Sequence, residues 1–226
     1  MTCVMIRRLT ICFALVTAAA PMSRLVAQIP ASLSTKLPRE VSVEVTRLVD
    51  SARALSLPTD PLVGVALEGA NRHASGERIV RAVRQYIGAL HSARGVLGDG
   101  ALDAEVVSGA GAVLAGVNTS VLRELRATRP KGGGEPLTVP LVVLADLVAR
   151  GVPLDTATRA VYVAAKAGAR DADFTLLRRY VEQDISAGAS PAAATSLRLR
   201  NVPGVTPEDL QTQIPVTVPP PRRPSP

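Results

Sequence analysis

The chain has 226 residues, with 26 Lys and Arg against 19 Asp and Glu for a formal net charge of +7, two Cys, two His, no Trp, three Tyr and two Phe. So few Cys and His exclude a zinc finger, a disulfide framework, an iron–sulfur site or a haem. So few aromatics exclude a base-stacking nucleic-acid surface, and the length suits one domain or two very small ones.

The N-terminus reads as an address. Arg7 and Arg8 precede the apolar run Leu9–Ala20, and the more polar Pro21–Gln28 follows it. That is the order of a secretory signal peptide, expected over residues 1–27 with the cut after Ala27 or Gln28. The 12 apolar residues of that run fall short of the about 20 that span a bilayer. No later run approaches that length, so the sequence predicts an exported, soluble protein, periplasmic or secreted, with no transmembrane helix after signal removal. The cut would take Arg7, Arg8, Arg24 and both Cys3 and Cys12, leaving a Cys-free chain of net charge +4.

From residue 28 to 213 the pattern predicts one α-helical domain. Val41, Val45, Leu48, Val49, Ala52 and Leu55 recur at helix spacing. Asp60 is the expected N-cap of the next helix, with Pro61 in its first position, and that helix runs to about His73. Ser75 is the expected cap of a longer helix with Ile79, Val83, Tyr86, Leu90 and Leu97 on one face and Arg78, Arg81 and Arg84 on the other. Further helices are expected over about 103–115, 119–128, 139–150, 155–167, 171–187 and 191–199, and Thr206-Pro207-Glu208-Asp209 starts a last one. Residues 130–136, with three Gly between two Pro, are the one expected internal linker, a mobile surface loop. Residues 214–226 are a Pro-rich tail expected to be extended or disordered.

One local plan recurs around Gly116, Gly151, Gly168 and Gly188: a helix, a Gly, a small apolar residue, then a capping residue. The residue just past a helix often needs a left-handed backbone, which Gly adopts at little cost. Each plan predicts a tight αα-corner. At longer range, Leu57-Pro58-x-Asp60 matches Val152-Pro153-x-Asp155, and Arg84-Gln85-Tyr86-Ile87 matches Arg178-Arg179-Tyr180-Val181. These matches fit either an internal duplication or two hairpins with the same capping needs. The expected fold is all-α: stacked short αα-hairpins whose layout resembles HEAT-like or tetratricopeptide-like arrays, or an irregular helical bundle. The tetratricopeptide pattern of Trp, Tyr and Pro is not found, so the resemblance is one of layout alone. The core must be built from Ala, Val and Leu. Gly109 and Gly111 are expected where helices approach closely.

The search for chemistry singles out few groups. His73 and His91 fall too far apart along one hairpin to share a metal or a substrate. Asp171 with Asp173, and Glu182 with Asp184, point apart on a helix. Glu68, Asp146 and Asp184 could face a groove, but nothing aims them at one another. The Gly-rich stretches lack the spacing of a dinucleotide or phosphate loop. The stripe Arg78, Arg81 and Arg84, with Arg94 beyond, is a solvated helix face or a surface for an anionic partner, with Glu77 placed to pair with Arg81. Pro221-x-x-Pro224 in the tail is a spacer or a polyproline ligand. The candidate binding residues are therefore Arg78, Arg81, Arg84, Glu68, Pro221 and Pro224, with no catalytic residue, metal or cofactor assigned. The preferred reading is an exported helical scaffold or adaptor that binds another envelope protein or an anionic surface, not nucleic acid. The alternatives are an envelope hydrolase using groove carboxylates and a carrier for an apolar or anionic ligand.

Overall fold

The computed structural model describes residues 31–129 and 135–211. The expected signal peptide 1–27, the tail 214–226 with Pro221 and Pro224, and most of the linker lie outside the described residues. Among the described residues there are ten α-helices and no strand. They are α1 (Ala31–Lys36), α2 (Arg39–Ala54), α3 (Asp60–Asn71), α4 (Gly76–Leu97), α5 (Asp103–Leu114), α6 (Thr119–Thr128), α7 (Thr138–Ala149), α8 (Leu154–Lys166), α9 (Asp171–Ser186) and α10 (Pro191–Leu199). A 3-10 turn, η1 (Asp209–Gln211), follows. No helix among them is long and apolar enough to cross a membrane.

The helices stack in two layers. In one, α2 packs on α4, α4 on α6, α6 on α8 and α8 on α10; in the other, α1 packs on α3, α5 on α7 and α7 on α9. Hairpin contacts such as α3 on α4, α4 on α5, α7 on α8 and α9 on α10 join the layers. Packing of a helix on the next but one, seen throughout the first layer and in the second for every step but α3 to α5, fits a stack of αα-hairpins, in which each hairpin buries its apolar face against its neighbours. Continuous apolar stripes make this work: α4 buries Ile79, Val83, Ala89, Leu90, Ala93 and Leu97. The central α8 is buried almost all round, from Ala160 to Ala165. Among the described residues Phe174 is the one fully buried aromatic; Leu, Val and Ala fill most of the rest of the core.

The corners follow the recurring plan. Gly116, Gly151, Gly168 and Gly188 all have φ between 81° and 96°. After each, the next residue's N–H donates back into the last helical turn: Val117 to the Ala112 carbonyl, Val152 to Leu147, Ala169 to Ala164 and Ala189 to Asp184, all at 2.9–3.0 Å. Gly N–H groups donate to the carbonyls between, which completes a Schellman motif at each corner. Val117, Val152 and Ala169 are buried, whereas Ala189 is exposed. Two more corners make the same bonds without Gly. Ser56 and His73 both take φ 54°, and Leu57 and Ala74 donate to the carbonyls of Ala52 and Gly69.

Several expected details differ. Asp60 is the first helical residue rather than the N-cap; Thr59 precedes it and makes no side-chain cap. Ser75 stands at the N-cap of α4, but its hydroxyl caps nothing. The caps that do form are Asn118, which accepts from the Ser120 N–H, and Ser190, which accepts from Ala193. Leu55, placed in the core stripe, is exposed beyond the end of α2. Gly109 does sit at a close approach, since a Cβ there would lie 3.1 Å from the Ala93 Cβ and 3.2 Å from Leu97 Cδ1. Gly111 does not; a Cβ there would meet nothing within 4 Å. The matching segments also part company. The first pair begins α3 in one layer and α8 in the other, and the second pair lies inside α4 and α9.

Candidate functional site

Three places gather charged side chains. The first is a groove of about 610 Å³ between α2 and α4, lined by Glu40, Val41, Glu44, Gly76, Glu77, Val80, Arg81 and Arg84. Its apolar floor exists because α4 begins against α2: a Cβ on Gly76 would lie 2.5 Å from Val41 Cγ2. Arg84 crosses to α2 and meets the Glu44 carboxylate at 2.7 Å, and Arg47 meets the other Glu44 oxygen, also at 2.7 Å. Arg78 and Arg81 are exposed and have no ion-pair partner among the described residues. The expected Glu77–Arg81 pair does not form, although both residues line the groove. Arg94 leaves the stripe: it is largely buried, donates to the Ala101 carbonyl and meets Asp103 at 2.7 Å.

The second place is a cleft of about 360 Å³ between α8, α10 and η1, lined by Asp155, Thr156, Arg159, Ala160, Thr195, Ser196, Leu199, Arg200 and Leu210. It lies in the same layer as the first groove, again between consecutive helices of that layer. The sequence reading did not single it out, because its parts lie up to 55 positions apart, from Asp155 to Leu210.

The third is a buried polar hub where the linker leaves α6 and enters α7. Glu105 is 3% exposed. Its carboxylate accepts from the Leu102 N–H, the Leu137 N–H and the Arg126 guanidinium, each at 2.9 Å. Burial alone would raise this carboxyl; the two amides and Arg126 together outweigh that and hold it below the ordinary glutamate value. Arg129, at 9% exposed, lies three residues after Arg126 and does similar work. It donates to the carbonyls of Pro136 (2.9 Å) and Ala169 (2.6 Å) and to Asp171 (3.2 Å), with its guanidinium 5.5 Å from the Phe174 ring centre. Asp171 is pushed up by burial and by the Glu135 charge, against the pull of Arg129. These are positioning groups: every polar contact in the hub ties one stretch of backbone to another. Sequence reading missed both residues. The one local signal was the spacing of Leu102 and Glu105, that of a capping box without its usual Ser or Thr.

The carboxylates considered for catalysis are spread over α3, α7 and α9, and all but Asp173, which accepts from the Arg170 backbone N–H, meet an arginine side chain. Glu68 pairs with Arg72 at 2.6 Å on α3, away from the α4 groove. Asp146 meets Arg178 at 2.7 Å, Glu182 meets Arg150 at 2.9 Å, and Asp184 meets Arg198 through both oxygens at 2.6 Å. His73 is the left-handed residue of a corner and His91 lies far along α4; both are exposed. Among the described residues no group of three or more His, Cys, Asp and Glu could hold a metal ion. Comparison with known proteins finds no matching family model, no similar curated protein and no similar solved structure.

Proposed function

We propose that the chain is an exported, non-catalytic scaffold that binds an acidic partner in the cell envelope through the α2/α4 groove and the arginine face of α4. The observation that carries this reading is that Arg78 and Arg81 on α4 are exposed and without an ion-pair partner among the described residues, Arg81 lining a groove that also holds Val41, Val80, Glu40, Glu44 and Glu77. Arg84 is already committed to Glu44, so it sets the wall of the groove rather than the contact. An acidic side chain of the partner would meet Arg78 and Arg81, and an apolar one would rest on Val41 and Val80. Rim charges of this kind act mainly on association rate and salt dependence. Export is supported by the Arg pair, apolar run and small residues of the first 27 positions.

The test is photo-crosslinking in native cells from a reactive residue at position 77, on the rim of the groove. The reading expects one discrete adduct in the envelope fraction, lost in the Arg78→Glu, Arg81→Glu double variant and weakened by salt. No discrete adduct, or an adduct indifferent to that charge reversal, overturns it. Mass spectrometry of the same fraction checks export, which predicts an N-terminus near Gln28 or Ile29; intact Met1 there refutes it.

A further inference from the structure

The α8/α10/η1 cleft gathers two unpaired cations on one cavity. Arg84, Arg126, Arg150, Arg178 and Arg198 each reach a carboxylate on another helix. Arg159 and Arg200, one from α8 and one from the end of α10, face a common cavity and make no ion pair, hydrogen bond or ring contact with any described residue. All 19 acidic residues lie among the described residues, whereas residues 1–30, 130–134 and 212–226 carry cations only. The one acid on the cleft is Asp155, likewise unpaired.

The cleft is also built rather than incidental. Its outer wall, η1, is fixed by a reciprocal cap: the Thr206 N–H and hydroxyl donate to the Asp209 carboxylate (3.0 and 2.8 Å), and the Asp209 N–H donates to Thr206 Oγ1 (3.3 Å). The turn before it presses on the end of α8 at Gly204, where φ is 83° and a Cβ would lie 2.7 Å from the Ala167 carbonyl oxygen. Leu210 from η1 and Leu199 from α10 give the cavity an apolar side, and Ser196 offers a free hydroxyl. Small-ligand sites combine these elements at volumes from about 300 Å³ upward. Guanidinium groups recognise planar or tetrahedral oxyanions by paired N–H donation.

We propose that this cleft binds a small organic oxyanion, a carboxylate or phosphate carried on a short apolar body. Arg159 and Arg200 grip the oxyanion, Ser196 donates to it, and Leu199 and Leu210 cover the apolar part. Asp155 opposes the anion and limits affinity. This site stands apart from the α2/α4 groove and does not depend on the scaffold reading.

Isothermal titration of the full chain with octanoate, octyl phosphate, inorganic phosphate and octanol tests it. Saturable one-to-one binding of at least one amphiphilic anion is expected, with octanol not binding and inorganic phosphate weaker than octyl phosphate. The octanoate and octyl phosphate arms tell a carboxylate ligand from a phosphate one. Arg159→Gln and Arg200→Gln should each weaken binding about tenfold, or about 1.4 kcal/mol. Asp155→Asn should tighten it, and Arg123→Gln, which removes the same charge elsewhere, should leave it unchanged. All four positions are exposed, so an unchanged unfolding midpoint shows that the fold is kept. Absence of saturable binding by both amphiphiles overturns the proposal. So does equal loss in the Arg123→Gln control, or binding of inorganic phosphate as tight as that of octyl phosphate.

Discussion

Replacing Glu105 by Gln removes one charge and keeps the shape, so it isolates what the buried carboxylate does. Three N–H donors converge on it: Leu137 and Arg126 on one oxygen, Leu102 on the other. A glutamine has one accepting oxygen. Placed toward Leu137 and Arg126, it turns its NH2 group against the Leu102 N–H and loses the cap of α5, at about 0.5–2 kcal/mol. Placed the other way, it strands the buried Leu137 N–H and the guanidinium. In both orientations Arg126 loses its only ion pair, and its Nε is already buried without a partner. Losing a charged hydrogen-bond partner in such a site costs about 1.5–3 kcal/mol, so the total expected is about 3 kcal/mol. For a domain of this size that is a fall in Tm of roughly 6–12 °C. Urea unfolding followed by circular dichroism measures it. The pH dependence gives a second reading. Because the folded carboxyl lies below its ordinary value, it contributes stability above about pH 4.5 that is lost as pH falls through the folded value. The difference between wild type and Glu105→Gln should be full at pH 7 and shrink in acid. Asp171 is shifted the other way but is present in both proteins, so it largely cancels. A gap under about 0.5 kcal/mol at pH 7, where surface substitutions fall, or a gap that persists unchanged in acid, refutes the reasoning.

Ser56 and His73 hold left-handed backbone that costs an L-residue about 1–2 kcal/mol. Part of that is returned as chain entropy on changing to Gly, so Ser56→Gly and His73→Gly should each raise stability by about 0.5–1 kcal/mol in the same urea assay. A loss of stability in both would show that these side chains do more than occupy a corner. On α5 two glycines two residues apart should respond oppositely. Gly111→Ala adds a methyl to open space and should stabilise by about 0.5–1 kcal/mol through helix propensity. Gly109→Ala drives a methyl onto Ala93 and Leu97 and should destabilise, overpacking costing about 1–3 kcal/mol. Equal effects at the two sites, from chemical unfolding, would contradict the close packing of α5 on α4.

The helices and corners were legible because they rest on local chemistry. A Gly followed by a small apolar residue marks a Schellman corner at Gly116, Gly151 and Gly168 without help from the rest of the chain. The corners at Ser56 and His73 carry no such mark; the left-handed backbone there is imposed by the surrounding helices. Glu105 was illegible for a different reason. Its depth depends on the Leu137 N–H, 32 residues later and across the linker. The cleft of Arg159 and Arg200 shares that property, since it exists only once η1 returns to α8. The arginine stripe was legible as a pattern on α4 but not in its fates: Arg84 goes to Glu44 and Arg94 to Asp103, and only Arg78 and Arg81 stay free among the described residues.

Those fates bear on where binding can occur. The formal +7 says little about the folded body, because six of the 26 cations and none of the 19 acids lie outside the described residues. The body is close to neutral, so its cations largely have acids to meet, and where helices cross they do meet them. Arg159 and Arg200 line a cavity whose one acidic lining residue is Asp155, and neither is paired with it. Exposed arginines on an open helix face are hydrated at little cost, and Arg78 and Arg81 are of that kind. Arg159 and Arg200 are exposed too, but they line one concavity, so a single anion can lie between them. An anion entering there gains from both cations at once. On that argument the α8/α10/η1 cleft should bind small anions more tightly than the α4 face does, although the α4 face carries as many free arginines.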